Sequence, residues 1–222
     1  MERLIIAIDG PSGVGKSSLG KSLARRLGIL YIDSGAVYRA VALHALMAEV
    51  PLEDATALAG IALRSEIRLE GDPDHLRVFL NDREVTHEIR QPETSHASSV
   101  VATIPEVREA VILKLREMSR GSGVVMDGRD IGTKVFPDAQ VKLFLDAAPD
   151  VRARRRWEED RQRGRDVTID EVSGELQSRD RRDTERLATP LVQADDAIFI
   201  DTSEMELDRV VDRVLEIVES RR

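Results

Sequence analysis

The chain has 222 residues, 41% hydrophobic and 33% charged, with a net charge of −8 and no cysteine. This fits a single domain with a large core, excludes disulfides and cysteine-held zinc, and makes a cytoplasmic location the expectation. Aromatic residues make up only 3%, which disfavours a nucleic-acid binder that stacks bases, and neither a membrane span nor a signal peptide is expected.

Residues 4–8 form an apolar run that reads as a first strand, and GPSGVGKS follows from Gly10 to Ser17. This is the G-x-x-x-x-G-K-S phosphate-binding pattern between a strand and a helix, the context that gives it meaning. Gly10, Gly13 and Gly15 permit the positive φ that turns successive N–H groups inward. The helix starting near Gly15 aims its N-terminal dipole at the same spot. Lys16 adds a mobile charge for the β and γ phosphates, and Ser17 offers a hydroxyl to Mg²⁺. Gly28 is positioned to end this helix. A short second strand is expected at 29–32, closed by Asp33-Ser34-Gly35, with helices at 36–48 and 53–63. The period then changes to two. Residues 66–70, 76–80 and 84–85 are extended and separated by turns, a small antiparallel meander. Helices at 92–102 and 105–120 each carry Pro near the start. A third parallel strand at 123–126 ends in Asp127-Gly128-Arg129-Asp130, and a fourth at 141–145 ends in Asp146. An arginine-rich helix at 149–161 and a connection at 162–166 lead to Thr168 and Glu171, a capping box for the next helix. A fifth strand at 197–200 and an amphipathic helix at 205–220 complete the chain.

Strands alternating with helices predict an α/β fold, a five-stranded parallel sheet flanked by helices. Ligands of such sheets bind beyond the carboxyl ends of the strands. The P-loop, Asp33-Ser34, Asp127 to Asp130 and Asp146 are therefore expected at one cleft. Arginines crowd residues 152–186. Most of them read as a solvated helix face paired with acids. A local arginine cluster on an acidic chain suits a small polyanion better than duplex DNA.

A P-loop alone indicates only a nucleoside triphosphate. No Asn-Lys-x-Asp guanine motif and no LSGGQ follow it. Further segments are more specific: DSGAVYRA at 33–40, HEIRQPE at 87–93, PEVREAV at 105–111, DGRDIGTKVFPDA at 127–139, KLFLDA at 142–147 and RDRRDTERLATPL at 179–191. With IDGPSGVGKSS at 8–18, they make the chain resemble the bacterial cytidylate kinases, P-loop nucleoside monophosphate kinases, over essentially its whole length. The resemblance implies a core at 1–60 and 105–222, an insertion at 61–104 that binds the monophosphate, and a short helical lid within 152–186. It implies transfer of the γ-phosphoryl of ATP to CMP or dCMP, assisted by Mg²⁺ and in line, without a general base.

The resemblance also implies site residues. Gly10, Pro11, Ser12, Gly13, Val14, Gly15, Lys16, Ser17 and Ser18 would hold ATP, joined by Arg154. Ser34, Arg39, Ser99, Arg108, Arg129, Asp130, Arg179 and Asp183 would hold CMP, and Lys16, Arg129 and Arg186 would be catalytic. By family match Asp130 accepts from cytosine N4 while Arg108 and Ser99 donate to N3 and O2, and Asp183 meets the sugar. Uracil reverses two of these groups. Ser17 and Ser18 both stand open as the Mg²⁺ contact. Asp127 has two readings, a carboxylate acting on the metal through water or a structural partner of Arg129 or a loop N–H. Tyr38 reads as packing, and Asp146 and His44 as structural. The expected partners are small nucleotides, with no nucleic acid and no membrane, and the expected state is a monomer. Two alternatives remain: a kinase for UMP, thymidylate or shikimate, and a non-catalytic ATP-dependent switch. A switch has no need of the second arginine set at Arg39, Arg108 and Arg129.

Overall fold

The computed structural model describes residues 3–221. In chain order the first half runs β1 (Ile5–Asp9), α1 (Lys16–Leu27), β2 (Leu30–Asp33), α2 (Ser34–Met47), α3 (Ala55–Arg64), β3 (Ile67–Glu70), β4 (Arg77–Leu80), β5 (Arg83–Glu84) and a 3₁₀ turn (Glu88–Arg90). The second half runs α4 (Pro92–Val101), α5 (Pro105–Met118), β6 (Val124–Gly128), a π-helical turn (Ile131–Val135), β7 (Val141–Asp146), α6 (Pro149–Gln162), α7 (Ile169–Glu185), β8 (Ile198–Asp201) and α8 (Leu207–Ser220).

The expected five-stranded parallel sheet forms in the order β2-β6-β1-β7-β8. Its strands are apolar on both faces, as helices covering both sides require. Ala7, Ile32 and Met126 face a core shared with α2, α3, α4 and α5. Ile6, Ile8, Val125 and Leu143 face the opposite core, with α1 and α8. In this register Asp33 lies opposite Asp127 and Asp9 opposite Gly128, so three carboxylates collect at the carboxyl edge.

The meander forms the expected three-stranded antiparallel sheet, with β4 in the middle. Its Ile67, Val78 and Leu80 are buried in the same core as α2, so this segment shares the hydrophobic interior of the main body. The helices α6 and α7 pack as a hairpin over a small cluster of Ala153, Val172 and Leu176. The buried Asp160 closes the hairpin by accepting from Arg165 at 2.9 Å and pairing with Arg156 at 3.2 Å. The Thr168–Glu171 capping box opens α7 as expected.

Two local features differ from the sequence reading. Asp33-Ser34-Gly35 is not a loop, because the Asp33 carboxylate accepts from the Ala36 N–H at 3.0 Å and starts α2 at once. The π-helical turn after β6 was not expected. Asp9 holds it, accepting from the N–H groups of Ile131 at 2.8 Å and Gly132 at 2.7 Å. No described helix is long and apolar enough to cross a membrane.

Candidate active site

The P-loop takes the backbone shape its glycines allow. Gly10, Gly13 and Gly15 have φ of 146°, 82° and 90°. A Cβ at Gly10 would also collide with the Leu145 carbonyl oxygen of β7. Lys16, the first residue of α1, is buried and donates from Nζ to the Pro11 carbonyl at 2.5 Å. Burial, then the nearby Arg129, holds its pKa well below the usual lysine range.

Asp127 at the end of β6 separates the two serines. Its Oδ2 accepts from the Ser17 hydroxyl at 2.9 Å, and its Oδ1 accepts from the Tyr31 hydroxyl at 2.8 Å. Its partners are thus neither Arg129 nor a loop N–H. Ser18 has no such carboxylate. Burial, and after it the like charge of Asp33, pushes the Asp127 pKa up to about 6.

A folded-state pKa above the unfolded one means that this group's stabilisation is complete below about pH 4 and lost as pH rises through about 6. A rise from 3.8 to about 6 corresponds to about 3 kcal/mol. An amide keeps both hydroxyl contacts, because each hydroxyl can reverse its donor role. Asp127→Asn is therefore expected to melt at a higher temperature than the wild type at pH 7.5, with the gap closing toward pH 4, while the phosphoryl transfer that the resemblance implies falls about 10²-fold. Melting curves from pH 4 to 8 and initial rates check this.

The main cleft has a volume of about 670 Å³. It brings together Ser12, Gly13, Lys16, Ser17 and Ser18 with every residue expected to hold CMP: Ser34, Arg39, Ser99, Arg108, Arg129, Asp130, Arg179 and Asp183, and also Arg186. A second hollow of about 740 Å³ lies on the other side of the P-loop, where Val14, Gly15, Arg155 and Thr202 join its wall. Gly10 and Pro11 shape the loop and line neither hollow. Arg154 is exposed and also lines neither; Arg155 and Arg156 occupy the wall instead. Asp146 lies outside the main cleft and caps the Ala147 N–H at 2.8 Å. His44 bonds Ser65 at 2.8 Å, so both are structural, as expected.

The arginines are held by aspartates. Arg39 pairs with Asp33 at 2.8 Å. Arg108 is 2% exposed although it stands on the helix α5. It donates to Asp130 at 2.5 Å, to the Ala102 carbonyl at 2.9 Å, and to the Thr189 hydroxyl. Arg129 donates to Asp183 at 2.8 Å and to the Ser12 hydroxyl at 2.7 Å, so it ties the P-loop to α7. Arg186 lies 3.5 Å from the other oxygen of Asp183. Arg179 is half-buried, its Nε is buried without a bonded partner, and desolvation together with Arg129 brings its pKa down to about 9. Ser34 lines the cleft while its hydroxyl donates to the Asp127 carbonyl at 2.6 Å. Ser99 accepts from Arg182 at 2.8 Å, a contact that joins α7 to α4.

Arg182, Tyr31 and Asp9 were not singled out from the sequence. Arg182 was within reach, because residues 179, 182, 183 and 186 recur at helical spacing on one face. Among the buried polar atoms without a partner are Tyr38 OH, Arg39 Nε, Arg179 Nε and Arg186 Nη2, all from residues that line the cleft. Buried polar groups ordinarily find partners, so this wall is built to receive acceptor atoms. Two hollows meeting at a lysine-bearing P-loop, with arginines on the far side, suit transfer between two anions.

The sequence profile of the cytidylate kinases matches residues 6–220. A cytidylate kinase of Pelotomaculum thermopropionicum is 49% identical over 98% of this chain and 96% of that protein. One from Desulfitobacterium hafniense is 45% identical over 97% of this chain and 93% of that protein. Among solved structures, the shikimate kinase of Bacteroides thetaiotaomicron shares the fold with a TM-score of 0.50 at 15% identity, over 97% of this chain and 98% of that one. On the profile match and on relatives of this identity and coverage, the chain belongs to the cytidylate kinase family.

Proposed function

We propose that the chain transfers the γ-phosphoryl group of ATP to CMP or dCMP, giving ADP and CDP or dCDP. The observation that carries this reading is one cleft lined both by Lys16 of the P-loop and by the buried Arg108–Asp130 pair. The P-loop binds the triphosphate. Arg39, Arg129 and Arg179 grip the acceptor phosphate, Arg108, Asp130 and Ser99 meet the cytosine edge, and Asp183 meets the sugar. Arg186, with Arg155 and Arg156 in place of Arg154, serves the charge on the transferred group. A monophosphate already carries about −1.5 to −2 charge near neutral pH, so no base is needed to create the nucleophile. The work of the residues is alignment and neutralisation of two anions.

The Ser17–Asp127 pair fits a hard divalent cation: a hydroxyl beside a carboxylate whose charge is disfavoured until a cation compensates it. Bound Mg²⁺ would supply charge neutralisation of the triphosphate. In this reading the partners are small nucleotides and the chain acts as a monomer.

The test is a panel of CMP, dCMP, UMP, AMP, dTMP and shikimate with ATP and Mg²⁺. The expected outcome is acceptor-dependent ADP release with CMP and dCMP. Faster turnover of UMP than of CMP removes the cytidine assignment, and ADP release without dependence on any acceptor removes the kinase reading.

A further inference from the structure

Tyr38 follows the sequence expectation only in part. It stands on α2 next to Arg39, is 9% exposed, and lines the main cleft. Its ring packs against the Arg108 guanidinium, with Cζ at 5.2 Å from the ring centroid. Its hydroxyl is buried and has no hydrogen-bond partner. A buried tyrosine hydroxyl usually finds one, and a phenyl ring would fill the same space without leaving a polar atom unpaired. The charged groups that act on this hydroxyl are Arg108, Asp130, Arg186 and Asp183. Arg186 Nη2 is itself without a partner. Two unpaired polar groups therefore share one side of the wall.

We infer that the Tyr38 hydroxyl is a further binding residue of the acceptor site, donating a hydrogen bond to the acceptor edge of the cytosine base. This rests on the function proposed above. The base is favoured over the sugar because the tyrosine ring lies under Arg108, which is joined to Asp130 at 2.5 Å, the pair assigned to the base edge. Arg108 and Arg186 are the cations that act on this oxygen, so its lone pairs turn toward positive charge. Its proton is left for an acceptor, and cytosine presents acceptors at N3 and O2 beside the amino group that faces Asp130. The hydroxyl is then a small liability in the empty chain and an asset in the complex.

Tyr38→Phe tests this, because it keeps the ring and its stacking on Arg108. Calorimetry with CMP and with dCMP, acceptor KM and kcat, and melting of the nucleotide-free protein are measured on both chains. The expected result is binding about tenfold weaker for both nucleotides, from one lost hydrogen bond. The loss falls on KM more than on kcat, and the empty variant melts about 2–4 °C higher. Unchanged affinity for both nucleotides overturns the inference, and more so if the variant melts lower, since that is a packing role. A loss confined to CMP, with dCMP unaffected, moves the contact to the 2′-hydroxyl and overturns the base assignment. If the wild type itself fails to bind CMP, the acceptor assignment is at fault; if it binds and the variant binds equally, the tyrosine alone is misassigned.

Discussion

Arg129→Ala lowers turnover with CMP by about 10³-fold or more, while the melting temperature drops by only a few degrees. Arginines that meet the transferred phosphoryl group contribute on this scale. Arg129 is placed for that work. It bonds the P-loop Ser12 hydroxyl at 2.7 Å on one side and Asp183 at 2.8 Å on the other. Removing it leaves Asp183 with Arg186 at 3.5 Å, so the carboxylate is not stranded, and the loss of stability is about 1–2 kcal/mol. Steady-state rates and thermal melting decide the matter. Near-normal turnover combined with a large fall in melting temperature would show a structural brace and contradict the catalytic role.

The second large effect concerns selectivity. Asp130→Asn is expected to lower kcat/KM for CMP by about 10²–10³-fold and to lower it much less for UMP, so that the preference between them collapses. Asp130 is 3% exposed and bonded to Arg108 at 2.5 Å. An asparagine must keep its oxygen on Arg108, which turns its NH₂ toward the ligand. That group opposes the cytosine amino donor and suits the uracil carbonyl. A site whose buried polar groups are left mismatched can discriminate by about 10⁴-fold or more, and it loses that power when the mismatch is removed. Arg108 also loses its buried counter-charge, and breaking such a pair costs about 3–5 kcal/mol. The variant is therefore studied at low temperature, with folding monitored beside the kinetics. Equal losses for CMP and UMP would show that Asp130 acts through stability alone.

The sheet was legible because its strands are short apolar runs bounded by glycine and aspartate, and the P-loop because its spacing is rare. The cleft was legible because loops after parallel strands must gather at one edge. What escaped were contacts between strands that adjoin in space but lie far apart in sequence. Tyr31 bonds Asp127 across β2 and β6, and nothing near either residue announces the pair. Of the two serines the sequence left open as the Mg²⁺ contact, Ser17 is the one bonded to that carboxylate, and this contact too was beyond the reach of local pattern. The π-helical turn was hidden for a similar reason: its cause is Asp9, on another strand. Arg154 is a different case. Residues 152 and 156 lie on one face of α6, toward the P-loop and the cleft, and 154 points away from it. Periodicity within the arginine-rich helix therefore contained the correction.

The pairing of four cleft arginines with resident aspartates has a consequence for how a nucleotide is captured. Arg39 pairs with Asp33 and Arg108 with Asp130, while Arg129 and Arg186 share Asp183, and Arg179 lines the cleft with no carboxylate among the described residues bonded to it. The chain as a whole carries −8. The cleft therefore keeps a local excess of positive charge on a chain that is acidic as a whole, so its pull on an anionic nucleotide is felt mainly close to its mouth. Capture proceeds by partner exchange at close range, in which the newcomer must satisfy the aspartates it displaces as well as the arginines it takes. A bare inorganic anion meets only half of that demand, whereas a nucleotide with its amino and hydroxyl donors meets both.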